Sequence, residues 1–101
     1  MPRQGKAWTV QDRQGDRVYL TWERWEHILL HHPDMSPFLE EIRRTVQEAR
    51  RRQDALSPYK YFYRTTYDYL PDDFEVVVVV VALNPNTQDR FVLTAYLDYD
   101  S

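Results

Sequence analysis

The chain has 101 residues, a net charge of −3 and no cysteine. That length is one domain, 1–101, able to bury roughly 60–70% of its extended surface. The acidic balance argues against a strong non-specific nucleic-acid binder, and the absence of cysteine excludes disulfides, thiol nucleophiles and thiolate metal sites. The N-terminal MPRQGKAW has no apolar signal core, and the longest apolar run, Val76 to Leu83, is too short to span a bilayer, so a soluble cytoplasmic protein with no membrane partner is expected.

In chain order, AWTVQ and RVYLT flank the glycine-containing DRQGD, which reads as a hairpin over 7–11 and 17–20. Thr21 is a good helix N-cap, with Glu23 in the first turn facing the positive helix end. From Trp22 onward, Trp22, Trp25 and Leu29 fall in one helical stripe with Ile28 beside it, and Pro33 ends the helix. Ser36 followed by Pro37 looks like a second N-cap and first helical position. Phe38, Leu39, Ile42, Val46 and Ala49 then recur at helical spacing, and arginines 50, 51 and 52 suit the negative end of that helix. Ser57-Pro58 is a break. The segment 59–66 is rich in aromatic and β-branched residues, and 75–83 is almost pure valine, too short for a convincing helix. The valine run has no polar alternation, which predicts a central strand covered on both sides, by the hairpin or by a second subunit on the side away from the helices. After the turn NPNTQD, Arg90–Asp98 is the last strand. The expected order is β-β-α-α-β-β-β. That is an α+β domain in which an antiparallel sheet, made of the N-terminal hairpin and a three-stranded meander, carries two helices on one face.

Chemistry-bearing residues cluster in two places. EHILLHHPDM holds all three histidines. Helical spacing puts His27 and His31 on the polar face and His32 at the helix end. The structural reading is two exposed histidines and a C-terminal cap. His27 and His31, four apart with Glu23 one turn earlier, could pair on a metal, but Glu26 precedes His27, so there is no HExxH pattern and no metal is expected. The third reading is acid–base catalysis. In the last strand, alternation puts Phe91, Leu93, Ala95 and Leu97 on the helix side and Arg90, Val92, Thr94, Tyr96 and Asp98 on the other. Arg64 joins Thr94 and Tyr96 if the register allows, and that trio suits a phosphate; the alternative is a solvated sheet face with ordinary cross-strand pairs.

The ordered set WERWEHILLHHPDM, KYFYRT, VVVVVVAL and RFVLTAYLD resembles the small nuclease-fold domains of the barnase, RelE and EndoU type, above all their phage-associated branch. The resemblance implies a metal-independent endoribonuclease of toxin type, without a cofactor, whose partners are RNA and an antitoxin. It implies His27 and His32 as the helix histidines, Arg64 as the strand arginine, and Thr94 and Tyr96 as the closing-strand motif. Arg43, Arg44, Arg50, Arg51 and Arg52 would supply attraction to the RNA backbone. The competing class is a non-catalytic protein-interaction module, a homodimer among its forms, that uses the tyrosine-rich stretch around Tyr59, Tyr61, Tyr63, Tyr67 and Tyr69.

Overall fold

Two strands, β1 (Lys6–Gln11) and β2 (Arg17–Thr21), form the hairpin expected from the alternating runs. Gly15 turns it with a φ of 86°, a conformation that suits a residue without a Cβ. The structure is a computed structural model that describes residues 4–100. Helix α1 (Trp22–His31) starts where Thr21 Oγ1 accepts the Arg24 N–H at 3.0 Å, as a capping threonine should. It ends at His32, whose N–H still reaches the Ile28 carbonyl at 2.7 Å before Pro33 stops the helical ladder.

Pro33–Phe38 forms a 3-10 segment, and α2 (Leu39–Glu48) follows it directly. The second helix therefore begins two residues later than Ser36-Pro37 suggests, because Pro33 opens a tighter turn that already buries Met35 and Phe38. The arginines at 50–52 are not its last turn. Ala49 is extended (φ −76°, ψ 150°), and Arg52–Gln53 forms a short strand β3 against β4 (Lys60–Thr66). Two acidic partners hold Arg51 away from the helix axis, as described below.

The valine run β5 (Val76–Leu83) is the centre of the sheet, between β4 and β6 (Arg90–Asp98). The full order is β1-β2-β6-β5-β4-β3. The sheet is mixed and not purely antiparallel, since β2 meets β6 in parallel through the single pair Tyr19–Phe91. The parallel sense follows from connectivity: the helices carry the chain to the far edge of the sheet, and the antiparallel strands β4, β5 and β6 bring it back so that β6 runs beside β2 in the same direction. A bulge in β6 also breaks the expected alternation. Val80 pairs with Thr94 and Val81 with Val92, leaving Leu93 as the extra residue. Val92 consequently turns into the core, and Phe91 moves to the face opposite the helices, level with Tyr19.

One core joins Trp25, Ile28, Ile42 and Val46 of the helices to Val77, Val79, Val81, Ala95 and Leu97 of the sheet. The hairpin contributes Val10, Val18 and Leu20 to the same core and extends the sheet sideways; it does not cover the second face. There Val76, Val78 and Val80 are still only 2%, 2% and 6% exposed. Their register neighbours, Phe62 and Thr94, Arg64 and Tyr96, Thr66 and Asp98, flank them on both sides. Among the described residues, no helix is long and apolar enough to cross a membrane.

Candidate active site

Strand alternation and register build the site. Arg64 on β4, Val78 on β5 and Tyr96 on β6 are direct partners in one row. The next row is Phe62–Val80–Thr94, and the row beyond is Thr66–Val76–Asp98. Opposed residues share a face, so Arg64, Thr94, Tyr96 and Asp98 all stand on the side away from α2. Arg64 and Tyr96 line a cleft of about 460 Å³ over Val78, bounded by Phe62, Asp98 and Arg52.

His32 comes to this place from the helix layer. After the Tyr19–Phe91 pair β2 diverges, and α1 packs against β6. The His32 ring lies 5.9 Å from the Tyr96 ring, centre to centre, so Tyr96 connects the cleft to the imidazole. Burial raises the Tyr96 pKa, and the Asp98 carboxylate adds to it against the opposing pull of Arg64. The phenol therefore stays protonated and can donate a hydrogen bond at neutral pH. Arg64 is half-exposed. Its guanidinium is 3.9 Å from Asp98 and donates a long bond of 3.5 Å to the Tyr99 carbonyl, so its other donors are free to take an anion.

Arg64 and Tyr96 are thus brought together in one cleft, with Thr94 one row away on the same face and the His32 ring against Tyr96. His27 is not brought to them. Its ring packs edge-on against His31 at 4.6 Å on the outer surface of α1, near Glu23, Glu26 and Leu30. Among the described residues no three or more histidines and carboxylates gather as a metal-binding group.

The five arginines expected to attract RNA scatter. Arg43 is paired with Glu40 and Gln47 on the α2 surface, and Arg44 and Arg50 are exposed. Only Arg52 lines the cleft. Arg51 belongs to a buried network that the sequence does not announce. It donates to Asp12 at 3.0 Å and to Asp16 at 2.6 Å, and its guanidinium stacks 4.8 Å from the centre of the Tyr61 ring. Asp12 also accepts the Tyr63 hydroxyl at 2.7 Å and the Gln14 and Asp16 N–H groups at 2.9 and 3.0 Å. Burial alone would raise the Asp12 pKa; the Tyr63 hydroxyl, the two backbone donors and Arg51 outweigh it and hold the carboxyl below its ordinary value. Burial and the Asp12 carboxylate push the Tyr63 phenol upward.

The tyrosine-rich stretch is mostly structural. Tyr63 and Tyr67 are buried and Tyr61 is half-buried. The Tyr67 hydroxyl bonds Thr45 and the Glu41 carbonyl, and Tyr69 donates to the Glu41 carboxylate. Sequence reasoning overlooked the cleft's other walls, Phe62 and the β3 segment. Phe62 was legible, since it shares a face with Arg64 at a spacing of two. The two residues of β3 carry no such pattern. No family model, no curated protein and no solved structure matches this chain.

Proposed function

We propose that this chain is a nuclease-fold domain of the barnase, RelE and EndoU type that cleaves RNA by attack of a 2′-hydroxyl on the adjacent phosphate, using side chains alone. The observation that carries the reading is the approach of the His32 ring to Tyr96, which lines one cleft together with Arg64. His32 takes the 2′-hydroxyl proton, the 2′-oxygen bonds to phosphorus, and the bond from phosphorus to the 5′-oxygen breaks. The leaving oxygen takes a proton from water on this open face. The products are a 2′,3′-cyclic phosphate and a 5′-hydroxyl. Arg64 offsets the charge that builds on the phosphate in the transition state. Tyr96, held in its protonated form, and Thr94 donate hydrogen bonds that fix the phosphate before attack. Arg52 adds attraction at the cleft wall.

The test is cleavage of mixed RNA, in chelator, by wild type, Arg64→Lys and His32→Gln. Loss of a positioned proton acceptor removes about 10²–10⁴-fold, and lysine cannot replace a planar fork at a phosphate. Both variants should therefore cleave at least about tenfold more slowly while melting within a few degrees of wild type. A wild-type protein that neither cleaves RNA nor binds it in an Arg64-dependent way would leave the protein-interaction reading, with a protein partner or a second copy docking near the exposed Tyr59 and Tyr69.

A further inference from the structure

A second cleft, of about 490 Å³, lies at the opposite end of the open sheet face, lined by Lys6, Arg17, Tyr19 and Arg90 with Thr9, Gln88 and Asp89. The proposed chemistry uses none of them. Phe91 adjoins Tyr19 with ring centres 6.2 Å apart and the rings tilted by 35°, and the Lys6 ammonium sits 4.4 Å above the Tyr19 ring. Ala82, the register partner of Phe91, is the smallest residue on this face of β5. The bulge at Leu93 is what puts Phe91 here.

Charge is unevenly shared. On the helices Glu23, Glu26, Glu40, Glu41 and Glu48 outnumber Arg24, Arg43 and Arg44, while Lys6, Arg17, Arg52 and Arg64 border the open face or its two clefts. The acids beside those cations are Asp54 and Asp98 at the first cleft and Asp89 at the second, where Asp16 also pairs with Arg90 at 3.6 Å. A chain that is acidic in sum therefore presents a cationic, aromatic sheet surface. Aromatic rings flanked by cations on an open sheet are what unpaired bases and their phosphates need, because every base has a face to stack and every linkage a charge to neutralise. A duplex hides its base faces and cannot use the rings.

We infer that the Tyr19–Phe91 cleft stacks an unpaired base, so that the ligand is single-stranded RNA lying diagonally across the sheet from Tyr19 to Arg64. This rests on the reading of the Arg64 end as the cleavage site and names the form of its substrate. The path crosses three strand spacings and four residues of strand, about 20 Å. At ~3.4 Å per stacked nucleotide, and more when extended, that is roughly three to six nucleotides. A base arriving on Tyr19 takes the ring face now under the Lys6 ammonium and leaves that ammonium beside its own phosphate.

The experiment is fluorescence anisotropy with a labelled mixed-sequence 2′-O-methyl RNA of ten residues, which has no 2′-hydroxyl to attack, titrated single-stranded and as a duplex. Tyr19→Leu should weaken single-strand binding by about 5- to 150-fold, the range for loss of one stacked base. Arg17→Glu, on an exposed side chain, should weaken it while leaving the melting temperature unchanged, so the idea stays testable even where Tyr19→Leu perturbs folding. Equal affinity for single strand and duplex, or affinity untouched by both variants, overturns the inference. Cleavage that survives such a result keeps the proposed function. A Tyr19-dependent affinity in a protein that does not cleave keeps the inference and sinks the proposed function.

Discussion

Replacing Asp12 with alanine is the sharpest perturbation of the fold. Its carboxylate is 1% exposed and holds four donors from three parts of the chain: Tyr63, Arg51, and the Gln14 and Asp16 amides of the hairpin turn. The substitution takes the carboxylate from a fully buried phenol and removes one of the two acidic anchors of Arg51, which keeps Asp16 and the Tyr61 ring. Breaking a buried pair by deleting one partner costs about 3–5 kcal/mol. Tyr63→Phe is the control. It removes one hydroxyl and leaves Asp12 its other three donors, and should cost about 1–2 kcal/mol. For a domain of this size each kcal/mol moves the melting temperature by about 4–8 °C, so Asp12→Ala should lower it by roughly 12–40 °C and Tyr63→Phe by about 4–16 °C. Urea denaturation with matched slopes gives the free energies directly. An Asp12→Ala cost under about 1 kcal/mol, or one equal to that of Tyr63→Phe, would refute the claim that this carboxylate ties the hairpin to the sheet.

The same network sets pH limits. The Asp12 pKa is depressed in the folded state, so its contribution is full above the unfolded value of 3.8 and fades as pH falls below it. The Tyr63 pKa is raised, so its contribution is full below the unfolded value of 10.0 and fades as pH rises beyond it. Melting temperatures across pH should fall at both ends in wild type, and the alkaline fall should be smaller in Tyr63→Phe. Trp25→Ala, at a position 8% exposed, should cost about 3–5 kcal/mol by chemical denaturation; a loss under about 1 kcal/mol would place Trp25 outside the core. His27→Ala should leave cleavage within about twofold of wild type, because its ring packs on His31 away from the cleft, and a loss comparable to that of His32→Gln would move the proton acceptor to His27.

Local signals carried most of the architecture. The valine run states its own central position by lacking a polar face, and Thr21 and Pro33 bracket the first helix by capping chemistry and by steric exclusion. The shared face of Thr94, Tyr96 and Asp98 follows from alternation alone. Three other features depend on distant partners. The bulge at Leu93 is a register event between two strands, and no residue in RFVLTAYLD marks it, so alternation alone assigns Phe91 and Val92 to the wrong faces. Arg51 and Arg52 look like the end of a helix until Asp12, 39 residues upstream, takes Arg51 out of it. The parallel contact of β2 with β6 is fixed by which edge of the meander remains open, a property of the whole sheet. The histidines were separable only in part. Helical spacing sets His27 and His31 apart from His32, but the approach of His32 to Tyr96 requires β2 to leave β6, and nothing local encodes that divergence.

The measurement that bears most directly on the proposed chemistry uses two oligonucleotides that differ in one atom. A short single-stranded RNA and the same strand carrying one 2′-deoxynucleotide at the cleaved position are incubated with wild-type protein in chelator, and the products are weighed by mass spectrometry. Attack by the 2′-oxygen beside Arg64, Tyr96 and His32 predicts a 2′,3′-cyclic phosphate from the first and an intact linkage at that position in the second. Cleavage of the deoxy linkage, or a linear phosphate as the first-formed product, would contradict it.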